Sequence, residues 1–137
     1  MLSTVEKVLF LKSVDLFSRI PGDELAEVAL VASEEHCEPG DTVFSEGEEG
    51  DALFLVIEGS VRVHRDAQIL AELSERECFG EMAILDAAPR SATVTARDRC
   101  RLLRLSRQDF QDLMGEKPEL ALGIIQVLSR RLRGAGP

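Results

Sequence analysis

The chain has 137 residues, of which 45% are apolar, and a formal net charge of −9. This length is typical of one domain. The longest uninterrupted apolar run, residues 52–57, is far shorter than the roughly 20 residues that a membrane-spanning helix needs. Charged residues interrupt the N-terminal segment where a secretory signal would be apolar. We therefore expect a cytoplasmic protein, with no membrane segment in this chain.

The acidic balance and the cysteine spacing exclude further classes. Net negative charge repels nucleic acids and anionic lipids, so an anionic ligand would need a local group of donors. Cys37, Cys78 and Cys100 are far apart and form no C-x-x-C pair, which predicts no disulfide framework and no metal site. The chain has no Trp and no Tyr, so any aromatic contact to a ligand would come from its six Phe residues.

The N-terminal part is predicted to be helical, and short strands follow it. Ser3 and Glu6 have capping-box spacing, and a second helix is predicted to begin near Pro21, so residues 1–34 form N-terminal helices. Many short strands at nearly regular spacing predict a jelly roll or small barrel over residues 35–105. The predicted strands are Thr42–Ser45, Ala52–Ile57, Ser60–His64, Ile69–Leu73, Ala92–Ala96 and Arg101–Leu105.

A helical pattern returns in residues 106–134. Ser106 and Asp109 again have capping-box form, and Pro118 is predicted to begin a final helix that ends at Gly134. The apolar stripe predicted for this last helix comprises Ala121, Ile124, Ile125, Leu128 and Leu132.

Residues 79–94 break the strand pattern and carry the chemistry. Gly80 permits a backbone turn that a Cβ atom would resist, and the next five residues suffice for about one helical turn, whose first amides can hold an anion. Arg90 follows with a guanidinium shaped to bind two phosphate oxygens, and Ser91 adds a hydroxyl and an amide. Glu81 is placed to accept a hydrogen bond from a sugar hydroxyl. The pattern predicts a site for a nucleotide with a free ribose hydroxyl.

Two runs resemble the cyclic-nucleotide-binding domains of protein kinase A regulatory subunits, cyclic-nucleotide-gated channels and the bacterial catabolite activator. Residues 79–94, F-G-E-M-A-I-L-D-A-A-P-R-S-A-T-V, resemble the phosphate-binding cassette of that family, and residues 39–63 resemble its glycine-punctuated strands. The resemblance implies an α+β fold: an eight-stranded β jelly roll flanked by N-terminal helices and C-terminal hinge and lid helices. It implies a single domain over residues 1–137, from a bacterial member of the family.

The resemblance also implies roles for single residues. It assigns Glu81 to the ribose 2′-hydroxyl and Arg90 to the cyclic phosphate, with the amides of Ala83 and Ser91 completing the phosphate site. Asp51 would orient Arg90 from behind. The other ligand-binding positions that it implies are Gly80, Met82 and Ala92, and the candidates for the pocket wall are Leu55, Val56, Val63 and Leu73.

Ligand choice and the cap over the base are less determined by the sequence. Ser91 occupies a position where relatives that prefer cGMP often have Thr and kinase-type cAMP sites often have Ala. Because Ser also occurs in the bacterial cAMP-binding branch, we expect cAMP rather than cGMP, with no further cofactor. Many eukaryotic members cap the base with a lid aromatic, which this chain lacks. Candidates for a guanidinium cap are Arg130, Arg131 and Arg133, whose alternative role is to compensate the helix dipole.

These features predict a regulatory domain that relays nucleotide occupancy to an unknown effector. No Ser or Cys has a recognisable base partner and no carboxylate pair suggests acid–base chemistry, so we expect no enzyme activity. Too few residues follow the cassette for a DNA-reading helix-turn-helix, so we expect no DNA-binding region here and a larger parent protein. The alternative is a degenerate β-roll that binds no nucleotide and serves as a docking or dimerisation module; the last helix allows a homodimer.

Overall fold

The computed structural model describes residues 1–81 and 88–135. The chain divides into two compact units: a helical unit, made of Met1–Val31 and the residues from Gln108 onward, and a β-roll, Ala32–Arg107. Met82, Ala83 and most of the predicted helical turn after Gly80 lie outside the described residues. No helix within the described ranges is long and apolar enough to cross a membrane.

The helical unit begins with α1, Thr4–Lys12, whose predicted capping box is confirmed. The Ser3 amide donates to the Glu6 carboxylate at 2.9 Å, and the Glu6 amide donates to Ser3 Oγ at 3.1 Å. These two bonds satisfy N–H groups that a helix start leaves without partners. A short 3-10 helix, Asp15–Phe17, follows, and α2, Gly22–Val31, begins where the sequence predicts.

Two C-terminal helices complete this unit: α3, Arg107–Glu116, and α4, Pro118–Ala135. The predicted start at Pro118 is confirmed. The described part of α4 extends to Ala135, one residue beyond the predicted end at Gly134. A glycine within a helix costs only about 1 kcal/mol relative to alanine, so it need not end the helix.

The predicted apolar stripe of α4 is only partly correct. Ile124 is buried, but Ile125 and Leu132 are 58% and 75% exposed. The buried face instead contains Leu120, Ile124 and Val127, which have the spacing of one side of a helix. Because apolar residues lie on more than one side of α4, periodicity alone does not identify the buried face.

The β-roll consists of two four-stranded sheets, which confirms the predicted eight-stranded jelly roll. Every strand pair is antiparallel. One sheet has the strand order β1-β8-β3-β6 and the other β2-β7-β4-β5. The strands are β1 Ser33–Cys37, β2 Thr42–Phe44, β3 Ala52–Glu58, β4 Val61–Arg65, β5 Gln68–Leu73, β6 Cys78–Phe79, β7 Thr93–Ala96 and β8 Cys100–Ser106.

The core of the roll draws apolar side chains from both sheets and includes three phenylalanines. The rings of Phe54 and Phe79 stack with centroids 5.3 Å apart, and Phe44 lies about 6 Å from each of them. This aromatic cluster, Phe44 with Phe54 and Phe79, borders the cavity described next.

Candidate functional site

A cavity of about 350 Å³ lies in the β-roll, and its volume is within the range of small-molecule sites, about 300–1,000 Å³. The structure brings together in its wall every predicted ligand-binding residue of the cassette that it describes: Gly80, Glu81, Arg90, Ser91 and Ala92. The apolar part of the wall includes Phe44, Val63, Phe79 and Val94. Of the predicted wall residues, Val63 lies in this wall. Leu55 and Val56, which are buried in β3, and Leu73 are not among the described residues that line it.

Among the described residues, the Arg90 side chain in the cavity wall contacts Ala52, Gly80 and Phe44. Only 8% of its surface is exposed. Nη2 donates to the Ala52 carbonyl oxygen at 2.7 Å, and Nη1 donates to the Gly80 carbonyl oxygen at 3.5 Å. The guanidinium carbon lies 3.9 Å from the centroid of the Phe44 ring, a cation–π contact. These contacts fix a long, flexible side chain in one orientation.

The charge of Arg90 is poorly compensated. Within residues 1–81 and 88–135, no carboxylate forms an ion pair with it, and its buried Nε has no hydrogen-bond partner. Burial lowers the pKa of the Arg90 guanidinium, while the charges of Asp51 and Glu48 raise this pKa and that of Arg104 lowers it. A buried guanidinium with an unused N–H in a cavity wall is stabilised by an anion that reaches it.

An acidic loop, residues 46–51, holds the backbone of Arg90. The Gly47 amide donates to the Arg90 carbonyl at 2.8 Å, and the Arg90 amide donates to the Glu48 carbonyl at 2.7 Å. The next residue, Glu49, forms an antiparallel bridge with Pro89. Backbone pairing thus joins the acidic loop to Pro89 and Arg90 of the cassette, although these two segments are far apart in sequence.

Asp51, the last residue of the acidic loop, contacts Arg104 and Arg107 and forms no ion pair with Arg90. Its carboxylate is 73% exposed and lies 3.5 Å from Nη2 of Arg104. Its carbonyl accepts a hydrogen bond from the Arg107 amide at 2.8 Å. The charge of Asp51 still raises the pKa of Arg90, so any support for Arg90 in this structure is electrostatic rather than a direct ion pair. The orienting role remains a prediction.

Sequence reasoning missed two residues at this site. Phe44 lies under the Arg90 guanidinium, and Arg65, at the end of β4, donates from Nε to the Ser91 carbonyl at 2.8 Å. Neither contact has a local sequence signal, because each joins residues far apart along the chain. Phe44 pairs with Val94 across β2 and β7, so only the strand register brings it near the cassette.

The predicted cap residues belong to the helical unit, where two of them share one carboxylate. Arg130 Nη2 lies 3.0 Å from Asp15 Oδ1, and Arg131 Nη2 lies 3.1 Å from Asp15 Oδ2. The third, Arg133, lies 3.5 Å from Ser129 Oγ. Their role as a base cap remains a prediction.

Metal ligation is not suggested by the described part of the chain. No three His, Cys, Asp or Glu side chains are grouped there so as to hold a metal ion. The polar groups that the cassette places at the cavity are a guanidinium, a carboxylate and a hydroxyl, which suit an organic ligand with an anionic group.

Comparison with known proteins decides the family. The model of the family described as cyclic nucleotide-binding domain matches residues 34–117, which is more than half of the chain. The chain belongs to this family. The match contains all eight strands except the first residue of β1, and it contains the whole cavity wall.

The relatives of this cyclic nucleotide-binding domain are regulators. It is 37% identical to a cAMP-dependent protein kinase regulatory subunit of Yarrowia lipolytica over 77% of the chain, and 36% identical to the cyclic AMP receptor protein of Thermus thermophilus over 91% of the chain. The chain spans only 29% and 60% of the lengths of these two relatives. Among solved structures, the N-terminal domain of a transcriptional regulator from Streptomyces coelicolor is similar with a TM-score of 0.85 and 35% identity, over 93% of this chain and 94% of that one.

Proposed function

We propose that this chain is a sensor domain that binds cAMP in preference to cGMP, performs no catalysis, and relays occupancy through α3 and α4. The observation that carries the proposal is the guanidinium of Arg90, which is buried in a cavity wall and whose Nε has no hydrogen-bond partner among the described residues. A single small anion compensates such a charge, whereas a net charge of −9 repels polyanions. A cyclic phosphate is an anion of this kind, and the family match supports a cyclic nucleotide.

In this proposal, the Arg90 guanidinium binds the cyclic phosphate, and the amide and hydroxyl of Ser91 lie beside it. The amide of Ala83 would complete the phosphate site. Glu81 accepts a hydrogen bond from the ribose 2′-hydroxyl, as a carboxylate in the same cavity wall is able to do. The apolar wall, which includes Phe44 and Val63, packs against the sugar and the base.

The preference for cAMP is supported by the relatives and by Ser91. Both curated relatives named above are described by their dependence on, or reception of, cAMP. Ser91 supports cAMP because the family resemblance places Ser at this position in the bacterial cAMP-binding branch. We expect cAMP to bind at least about tenfold more tightly than cGMP, a difference of about 1.4 kcal/mol.

The relay is supported by backbone hydrogen bonds at two places in the acidic loop. Arg90 bonds to Gly47 and Glu48 of the acidic loop, and the last residue of that loop, Asp51, accepts from the Arg107 amide at 2.8 Å. Arg107 is the first residue of α3. A ligand that moves Arg90 therefore acts, through the acidic loop, on the start of α3. It shifts the C-terminal helices only if its affinity differs between the two states of the domain in which these helices have different positions.

Calorimetric titration of the whole chain with cAMP and with cGMP tests the ligand. Saturable heat with cAMP and weaker binding of cGMP are expected. Absence of heat with either ligand at millimolar concentration would leave the docking-module alternative in place. Amide hydrogen exchange with and without cAMP then tests the relay: protection is expected to change in α3 and α4, and a change confined to the cavity wall would exclude it.

A further inference from the structure

Two of the three cysteines lie directly opposite each other in one sheet. Cys37 ends β1 and Cys100 begins β8, and the antiparallel register pairs these two residues. Directly opposed residues of an antiparallel pair have Cα atoms about 4.5–5.5 Å apart. This separation is within the range of about 4.4–6.8 Å that a disulfide requires. The backbone therefore already has the spacing for a cross-strand bond.

The two side chains also share one side of the sheet. Cys37 is partly buried and packs against the core cluster of which Cys100 is a member. Neither is bonded to another cysteine. Burial raises the pKa of both thiols, and the proximity of Cys100 raises that of Cys37 further. Cys100 is thus close enough to affect the ionisation of Cys37.

We propose that Cys37 and Cys100 form a redox-active dithiol that a peroxide converts to an intramolecular disulfide between β1 and β8. Cys37 reacts first, because it is partly exposed whereas Cys100 is 0% exposed. The Cys100 thiol donates to the carbonyls of Ser60 and Asp98 at 3.0 Å, and it acts second, as the resolving thiol. Neither cysteine is among the described residues that line the cavity.

The chemistry balances in two steps. The Cys37 thiol releases its proton, the thiolate attacks hydrogen peroxide, and the O–O bond breaks to give a sulfenic acid and a hydroxide, which takes up that proton and becomes water. The Cys100 sulfur then attacks the sulfenic sulfur, the S–S bond forms and the S–O bond breaks, and the departing hydroxide takes the Cys100 thiol proton and leaves as a second water. The two thiols lose two electrons in total, and the peroxide gains them. Because the thiolate is the reactive form and both thiol pKa values are raised, the reaction accelerates as the pH rises above neutral.

Cys78 provides an internal control. It lies on β6, which β3 separates from β8, and its partner Leu55 pairs with Leu103 rather than with Cys100. Two strand spacings and three residues of offset put Cys78 more than about 10 Å from Cys100, beyond disulfide reach.

The test treats the whole chain with hydrogen peroxide and counts free thiols after denaturation. The count is expected to fall from three to one, with a linked peptide containing Cys37 and Cys100, and to return to three with dithiothreitol. Cys78→Ser should form the same bond, Cys37→Ser should not, and Cys100→Ala should stop at a sulfenic acid that dimedone traps on Cys37. Because Cys100→Ala replaces a core residue, the peptide map of the unsubstituted protein is the deciding measurement. Three unreacted thiols, a bond that includes Cys78, or a bond between two chains would overturn the proposal.

Discussion

A Cβ atom on Gly80 would lie 2.6 Å from Nη1 of Arg90 and 3.1 Å from the Ala52 carbonyl oxygen. Real Cβ atoms essentially never approach another atom to 2.6 Å, and a distance of 3.1 Å is tighter than most of their contacts. Gly80 also has a φ of +76°, which L side chains rarely adopt. Position 80 of the cassette is therefore glycine for two reasons, its backbone conformation and the space that the guanidinium occupies. The position of Arg90 depends on this missing side chain.

Gly80→Ala is expected to weaken cAMP binding by displacing Arg90. The left-handed backbone alone costs about 1–2 kcal/mol of folding stability. Gly40→Ala is the matched control, because Gly40 has a φ of +90° but no atom within 4 Å of its Cβ position. Thermal denaturation should show similar losses for both variants, whereas titration should show lost affinity for Gly80→Ala alone. Equal cAMP affinities of Gly80→Ala and Gly40→Ala would mean that the Arg90 guanidinium can move aside without loss of binding.

Phe44→Leu is expected to reduce cAMP affinity by about 5- to 30-fold, because a buried cation–π contact contributes about 1–2 kcal/mol to the orientation of Arg90. Phe54→Leu is the control: its ring belongs to the same aromatic cluster and stacks on Phe79, while the Arg90 guanidinium lies over Phe44. Both variants should lose stability, and only Phe44→Leu should lose affinity beyond that loss. Equal losses of cAMP affinity in Phe44→Leu and Phe54→Leu would mean that Phe44 contributes only through packing.

Stability of the helical unit is expected to depend on the ionisation of Glu24. This side chain is 9% exposed and its Oε2 has no partner among the described residues. Burial raises the pKa of Glu24, the charges of Glu119, Asp23 and Glu27 raise it further, and Lys117 lowers it. The folded state therefore holds a proton that the unfolded chain has released, and stability falls as the pH rises through the raised pKa.

Glu24→Gln should remove that dependence. Above the raised pKa, the variant is expected to denature at a higher temperature than the unsubstituted protein, and its stability should vary less between mildly acidic and neutral pH. Glu27→Gln is the control. Glu27 Oε1 lies 3.5 Å from Nζ of Lys117, so neutralising Glu27 should lower the stability of the protein slightly. A Glu24→Gln protein that is less stable at neutral pH would show that the ionised carboxylate is favourable.

Removal of the residues after Leu128 tests the predicted cap. The truncation deletes Arg130, Arg131 and Arg133, and a stacking guanidinium contributes about 0.5–2 kcal/mol, so cAMP affinity should fall about 2- to 30-fold. Asp15→Asn keeps the full helix but releases two of these arginines from their shared carboxylate. It should preserve or increase affinity. Unchanged cAMP affinity after truncation would contradict a role for these arginines in capping the base.

The sequence predicted most strands because glycine-rich turns separate apolar runs, but it did not single out β1 and β6. The β1 residues are S-E-E-H-C, without apolar alternation, and Glu34 pairs with Arg101 of β8 at 2.8 Å. Strand β6 has only two residues and exists through its pairing with β3. Both strands depend on partners that are distant in sequence, so no local pattern identifies them.

The candidate site likewise contains residues that a local motif predicts and residues that only distant strand pairing brings close. Gly80, Glu81, Arg90 and Ser91 are contiguous enough to form a recognisable motif, and the structure gathers them in one wall. The ring under Arg90 and the acidic loop that bonds to its backbone come from residues about forty positions earlier. Their contribution follows from the pairing of β2 with β7, which composition and spacing do not reveal.

The most direct measurement is calorimetric titration of cAMP into Arg90→Ala. A charged hydrogen bond contributes roughly 1.5–3 kcal/mol, so affinity should fall about 10- to 150-fold. Arg99→Ala is the matched control, because its side chain is 80% exposed in an ion pair with Glu38 and lies outside the cavity wall. Weakened binding in Arg90→Ala with unchanged binding in Arg99→Ala is the predicted result. Equal affinity in Arg90→Ala and the unsubstituted protein would contradict the assignment of the phosphate site.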